Sequence, residues 1–330
     1  MDPFSPFTFD LIRAFQDLGA WLTAPMKFFT FLGNEEFFLV MLPFVYLCVS
    51  KALGADLVLL LVASNWVNSL VKGLLKLPRP YWVDPKLALS SEQSFGMPSG
   101  HAMNATVLWG FPALVAPWRK KAPRGTDRFA FLRPALVLVI LLISLSRLYL
   151  GMHSPGHLVG GWLLGLLLLA LYVWLKPRVT AGLGRLSLGM NALLAVLAAL
   201  VTVALYLIAA ASPNGDPAAY GDLFAVAQGQ TYESAGTLAG MILGLWLGLT
   251  WERRYLGFST TGSWLQRALR YVVGLIGVVA LWGGLKLLFP VEPMALGLAL
   301  RVVRYTLLML WTAALWPWLF VRLGWATRER

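Results

Sequence analysis

Three short polar clusters interrupt an otherwise apolar stretch of the 330-residue chain. The first, residues 72–80, reads KGLLKLPRP. The second is Pro98-Ser99-Gly100-His101. The third is Ser146-Arg147, with His153 six residues on and His157 four beyond that. All three histidines of the chain lie in this stretch, with the cations Lys72, Arg79 and Arg147. Charge set beside apolar helices is costly and marks a candidate site. Cations gathered around imidazoles repel a metal ion and attract an anion. The chemistry expected is therefore that of phosphate. Fixed positive groups stabilise a phosphoryl dianion without a metal, one side chain acts as nucleophile and another handles the proton.

Each cluster also has a plainer reading by itself. Lys72 and Arg79 are seven apart, near two helical turns, so both face one side, and Asn65 and Asn68 precede them on that stripe. Pro78 and Pro80 fix the backbone around Arg79 and end the helix. Lys76 reads as a cation reaching for the membrane interface. Proline, then serine, then an apolar run is a helix start with Ser99 as cap. The free N–H groups and dipole there favour an anion, and Gly100 lets backbone come close to it. Arg147 ends an apolar run, where it could equally be a membrane-edge anchor. An ordinary cap, a packed histidine and an anchor account for each cluster singly. A shared phosphate site accounts for all of them.

The elements that must position these clusters are membrane-spanning helices. The chain is 58% hydrophobic and 13% charged, with a mean hydropathy of +0.70. Apolar runs of membrane length recur along it, which means an all-α polytopic protein. Nine spans are expected, near 33–51, 56–76, 98–116, 134–150, 155–176, 187–211, 234–250, 270–289 and 294–322. Residues 1–32 read as an interfacial amphipathic segment, with Phe7, Leu11 and Phe15 on one face. Residues 33–211 read as the catalytic core and 212–330 as three further spans. The loop after the third span holds six Lys/Arg against one Asp, and the loop 212–233 holds three acids and no Lys or Arg. The positive-inside rule puts the basic loops and the C-terminus in the cytoplasm. All three clusters then fall on the outer face. Most of the net charge of +12 is accounted for by orientation, so nucleic acid is not the expected partner. The lone Cys48 sits in an apolar run and gives no disulfide framework.

Lys72-x6-Arg79-Pro80, Pro98-Ser99-Gly100-His101 and Ser146-Arg147-x5-His153 resemble, in order, the three signature motifs of the type-2 phosphatidic acid phosphatase superfamily. That superfamily includes lipid phosphate, undecaprenyl-diphosphate and sphingosine-1-phosphate phosphatases, glucose-6-phosphatases and vanadium haloperoxidases. The resemblance implies a six-helix core, no metal or other cofactor, and a phosphohistidine mechanism. It implies His153 as nucleophile, His101 as the acid that protonates the leaving alkoxide, and Lys72, Arg79, Ser99, Gly100 and Arg147 as phosphate ligands. Asn65-Trp66-Val67-Asn68, Arg79-Pro80-Tyr81-Trp82 and residues 234–248 are similar to glucose-6-phosphatase segments. Leu32-Gly33-Asn34-Glu35-Glu36-Phe37 looks like the start of bacterial and sphingoid-type lipid phosphatases. In the superfamily an aspartate usually follows the nucleophile by four residues and orients it. Here His157 stands there; if neutral it can accept a hydrogen bond from His153, and the plainer reading is that it only packs. Asp84, Glu35, Glu36 and Glu92 are the open choices for a compensating acid.

The function expected is hydrolysis of a lipid phosphate monoester or diphosphate at the outer face of a membrane, with a bacterial inner membrane the suggested home. A sugar-phosphate phosphatase is the alternative, and a phosphate-lipid transporter or binding protein with a degenerate core is the third reading. Arg301 and Arg304 lie three apart on one face of the last span. They read as interfacial anchors, with contact between Arg304 and a headgroup as the second possibility.

Overall fold

The structure is a computed structural model that describes residues 4–115 and 131–329. It is helical throughout. Among the described residues the sole β-type pairing is an isolated antiparallel bridge between Phe258 and Arg328. The helices in order are α1 (Pro6–Gln16), α2 (Thr23–Phe31), α3 (Glu35–Phe44), α4 (Lys51–Leu75), α5 (Pro80–Val83), α6 (Gly100–Val115), α7 (Leu132–Tyr149), α8 (Pro155–Arg185), α9 (Leu188–Ala210), α10 (Pro217–Trp251), α11 (Trp264–Val279), α12 (Leu285–Leu288), α13 (Met294–Leu310) and α14 (Trp316–Arg322).

Seven helical stretches are long and apolar enough to cross a membrane, or eight if residues 20–49, bent by 48°, count as one span. Nine are not found among the described residues. The expected third span, α6, has 16 residues there, short for a crossing. Most of the basic loop after it lies outside the described residues.

Contacts divide the chain into two compact units. One comprises residues 1–38, 63–173 and 212–231; the other comprises 39–62, 174–211 and 232–330. The stretches expected from sequence, 1–32, 33–211 and 212–330, divide the chain differently.

In the first unit α7 packs along α6, α2 and α1. α1 forms, and of the expected apolar face Leu11 and Phe15 pack inward beside Ile12 while Phe7 does not. Phe7 is 65% exposed while Ile12 is fully buried. Ile12 packs with Leu87, Ala102, Leu148 and Leu158, with Leu11 and Phe15 alongside. Gln16 fastens the end of α1 by donating to the carbonyls of Leu87 and Tyr149 at 3.0 and 2.8 Å. A polar ladder ties α4 to α6: Ser64 donates to Asn104 Oδ1 at 2.6 Å, and Asn104 donates to Asn65 Oδ1 at 2.9 Å. Buried side-chain polar groups must be paired in this way.

The second unit is built around close helix contacts. Gly236, Gly240, Gly244 and Gly248 fall every four residues on α10. A Cβ at Gly240 or Gly244 would meet the backbone of Val302 or Thr306 on α13. Small residues at this spacing let helix backbones touch. α11 starts at a capping box, with Ser263 and Gln266 each satisfying the other's backbone N–H. Cys48 is buried, its Sγ 3.2 Å from the carbonyl of Arg267. Arg301 pairs with Glu233 at 2.7 Å and donates to Thr237 at 3.3 Å. Arg304 is buried over the ring of Tyr305, 4.9 Å from its centroid.

Candidate active site

The site is assembled at the ends of helices in the first unit. Lys72 lies in the last turn of α4. Lys76 then takes a left-handed conformation, φ 49°, which stops the helix. It does not reach outward as expected. It is 4% exposed and its ammonium donates to the Ser212 carbonyl at 2.6 Å, because the reversal of the chain turns it inward. Arg79 follows in extended conformation, between Pro78 and Pro80, as the residue before α5. Gly96 N–H returns to the Leu77 carbonyl at 2.7 Å. A side chain at Gly96 would strike the Pro78 carbonyl and the His157 ring. Glycine is therefore required where these strands of chain cross.

Arg79 is fully buried. Its Nε donates to the Ser94 carbonyl at 2.6 Å and one terminal nitrogen to the Met152 carbonyl at 3.1 Å. The other donates to Ser94 Oγ at 2.9 Å and the Phe95 carbonyl at 3.2 Å. One guanidinium thus joins the loop before α6 to the loop before α8. Lys72 reaches the same hydroxyl, Ser94 Oγ, at 2.9 Å.

His153 is fully buried in the short connection between α7 and α8. Its Nε2 is 3.0 Å from Arg79 Nη1. A guanidinium only donates, so Nε2 must accept, and the ring proton sits on Nδ1. Burial pushes the imidazole well below its usual pKa, and Arg79, Arg147, His157 and Lys72 reinforce the shift. His153 is held neutral, with the Nε2 lone pair facing the cations. Its Nδ1 has no hydrogen-bond partner.

His157 does not supply one. The two rings meet edge to face, with centroids 5.6 Å apart, and His157 Nδ1 is also without a partner. The hydrogen bond considered from His153 to His157 is not formed. His157 instead contributes backbone: its carbonyl accepts from Ser99 N–H at 2.9 Å, joining the start of α8 to the start of α6. A side chain at Gly161 would come 2.6 Å from the Ser99 carbonyl.

Ser99 caps α6 as expected, its Oγ taking the Ala102 N–H at 3.4 Å, and Gly100 is the first helical residue. His101 follows in the first turn. Its Nε2 lies 2.8 Å from Asn34 Oδ1 and its Nδ1 lies 3.6 Å from Glu92 Oε1. The Asn34 oxygen fixes a proton on Nε2, which leaves Nδ1 to exchange one. Gly33 makes room for this ring, since a Cβ there would sit 2.8 Å from His101 Cδ2.

Glu92 is at the centre. One carboxylate oxygen lies 2.6 Å from Arg79 Nη2, and the other bonds Arg147 and faces His101. Arg147 is 1% exposed and also donates to Thr30 Oγ1 at 3.4 Å, while its Nε has no partner. Burial opposes the charge on Glu92, but Arg147, Arg79, His101 and Lys72 outweigh it and hold the carboxyl below its usual range. Tyr81 grips the Glu92 backbone in both directions, donating to its carbonyl at 2.8 Å and accepting from its N–H at 3.3 Å.

Two family models match the chain and together cover more than half of it. The PAP2 superfamily model matches residues 53–181, and the model described as PAP2 superfamily phosphatase, transmembrane extension, matches residues 236–328. The chain belongs to the PAP2 superfamily. Among curated PAP2 relatives, sphingosine-1-phosphate phosphatase 2 of Mus musculus is 32% identical over 149 residues, 44% of this chain and 40% of that protein. Glucose-6-phosphatase 3 of Homo sapiens is 28% identical over 187 residues, 51% of this chain and 52% of that protein. Phosphatidylglycerophosphatase B of Bacillus subtilis is 29% identical over 152 residues, 45% of this chain and 72% of that protein. The chain thus spans only about half the length, or less, of the first two.

Of the candidate site residues named from the sequence, Arg79, Arg147 and His101 converge on Glu92, and His153 reaches them through Arg79. Lys72 joins them through Ser94. Glu92, one of four acids offered from sequence to compensate for the missing aspartate, meets Arg79, Arg147 and His101 and not His153, whose Nδ1 has no partner; sequence reasoning did not point to Ser94 or Thr30 at all. Asn34 had a trace in the LGNEEF segment. Tyr81 had one in the Arg79-Pro80-Tyr81-Trp82 segment, whereas Ser94 and Thr30 carried no spacing signal, because a loop and a separate helix bring them to the motifs.

Proposed function

We propose that this protein is an integral-membrane phosphatase that hydrolyses the phosphate monoester, or diphosphate, of a lipid through a phosphohistidine. The observation that carries the reading is the neutral His153 with its Nε2 lone pair 3.0 Å from the buried Arg79 guanidinium. Neutral imidazole is the nucleophilic form, and fixed guanidinium groups meet the charge of the transferring phosphoryl group.

In the first step Nε2 of His153 attacks phosphorus and the bond to the leaving oxygen breaks. His101 takes up a proton on Nδ1 as the negative charge of the substrate binds beside it, and delivers that proton to the leaving alkoxide, giving the alcohol. In the second step His101 takes a proton from water as the oxygen attacks phosphorus. The P–N bond breaks and returns its electron pair to His153. The sum is ester plus water giving alcohol plus phosphate, and both histidines are regenerated. Arg79 and Arg147 hold the equatorial oxygens, and Lys72 and the start of α6 at Ser99 and Gly100 support them. Asn34 orients His101.

A lipid substrate is favoured because a site at helix ends admits a headgroup whose tails stay in the bilayer. It also fits two relatives whose names specify lipid phosphates. The similarity to glucose-6-phosphatase 3 favours a soluble sugar phosphate as the second reading. The charge of the loops supports an outward-facing site and a cytoplasmic C-terminus.

Purified protein in detergent, assayed side by side on sphingosine 1-phosphate, phosphatidic acid, phosphatidylglycerophosphate and glucose 6-phosphate, tests both readings. Release of phosphate from a lipid, abolished by His153→Ala, is expected. Release from glucose 6-phosphate alone would select the second reading. Release that survives His153→Ala would refute the nucleophile.

A further inference from the structure

The Glu92 carboxylate lies where the proposed mechanism puts phosphate. It engages Arg79, Arg147 and His101 together, the three groups that would hold or protonate a phosphoryl group. A carboxylate and a phosphate cannot share these donors, since like charges repel at that range. One has to leave, and the geometry says which. Arg79 is fully buried and held by the carbonyls of Ser94, Met152 and Phe95, and Arg147 is 1% exposed beside Thr30, whereas the Glu92 side chain is 23% exposed. Its backbone is held on both sides by Tyr81. The side chain can therefore swing out by rotating its own bonds, with the loop fixed.

We infer that Glu92 is a specificity-determining residue, a tethered carboxylate that a substrate must displace and that only a phosphomonoester or diphosphate is charged enough to displace. The inference rests on the phosphatase reading above. A bilayer is full of phosphodiester headgroups with one negative charge each. An open pair of buried arginines would bind them and be blocked. With Glu92 in place, a monoanion only exchanges one single charge for another and gains little. A phosphomonoester, with a charge of about −1.5 to −2 at pH 7 and three acceptor oxygens, gains. The displaced carboxylate leaves by the side on which it is already 23% exposed.

Two variants separate this role from a purely structural one. Glu92→Gln removes the competing charge. Glu92→Asp keeps the charge but draws it back by one methylene, so that it no longer bridges both arginines. The readout is calorimetric binding of inorganic phosphate to the full-length protein in detergent, with phosphatidylglycerol in the micelles as the phosphodiester competitor. If the carboxylate occupies the site in about nine molecules of ten, freeing the site tightens phosphate binding roughly tenfold. Tighter binding is expected in Glu92→Gln and, by a smaller factor, in Glu92→Asp. Phosphatidylglycerol should compete in both variants and not in the wild type. Phosphate binding that is unchanged or weaker in both variants would overturn the inference and make Glu92 a fixed support for the arginines. If Glu92→Gln fails to fold, Glu92→Asp alone decides, by the same criterion. Phosphate binding to neither wild type nor variant would instead overturn the phosphatase reading itself.

Discussion

Replacing Arg79 with lysine keeps the positive charge and removes the planar fork, so it separates charge from geometry. Around the wild-type guanidinium lie the carbonyls of Ser94, Met152 and Phe95, the hydroxyl of Ser94, the Nε2 of His153 and the Glu92 carboxylate. Lysine offers three donors from one point, so at least three of these acceptors lose their bond. At a net of about 1 kcal/mol each, the fold loses roughly 3 kcal/mol. The reaction loses an oriented donor at the phosphoryl group as well, and removal of one such donor costs about 10²–10³ in kcat. The assay is kcat/KM for the best lipid phosphate in mixed micelles, together with the melting temperature of the detergent-solubilised protein. Both should fall, kcat/KM by about a hundredfold or more. An Arg79→Lys protein that keeps more than about a tenth of the wild-type kcat/KM and melts unchanged would refute the reasoning, because charge alone would then suffice.

The pH profile follows from His153. Its folded pKa is lowered, so it stays neutral at all pH values above that lowered value and loses its lone pair only when pH falls through it. An acid limb of kcat/KM near pH 6 should therefore belong to the second ionisation of the substrate phosphate and move with that pKa. An acid limb fixed near 6.5 for every substrate would contradict a neutral resting nucleophile. The same sign holds for stability. The unfolded chain takes up a proton near pH 6.5 and the folded site does not, so His153 makes the fold less stable as pH drops below that value, as thermal melts across pH 5–8 would show. His157→Asp puts a carboxylate where the unpartnered Nδ1–H of His153 can use it, and a rise in kcat, read by single-turnover phosphate release, is expected. Equal or lower kcat with a normally folded protein would mean that the histidine edge contact already serves. Gly96→Ala should cost about 1–3 kcal/mol, because its Cβ would sit 2.5 Å from His157 Cε1, and an unchanged melting temperature would show that the crossing can relax.

The residues of the proposed site stood out in sequence because they are rare there. Three histidines and three misplaced cations in apolar surroundings need no structure to be noticed. What they touch was not legible. Glu92 meets Arg147 across 55 residues and Asn34 meets His101 across 67, and no periodicity records such pairs. The hydrogen bond considered for His157 is absent for a related reason. A spacing of four places it beside His153, but only the ring orientations decide between a hydrogen bond and an edge contact. Lys76 was misjudged because a left-handed residue at a helix end reverses the chain, which a lysine does not announce as a glycine would. Of the nine spans expected from hydropathy, seven or eight are found among the described residues, which include α6 as far as Val115.

Cys48 has a practical consequence. The chain has one thiol, and it is 3% exposed. Maleimide or nitroxide reagents should therefore find little to react with in the native protein. A cysteine introduced at the exposed neighbour Gln93 would then carry a spectroscopic reporter next to Glu92 with almost no background. Distance or mobility signals could be followed there without first replacing the native residue.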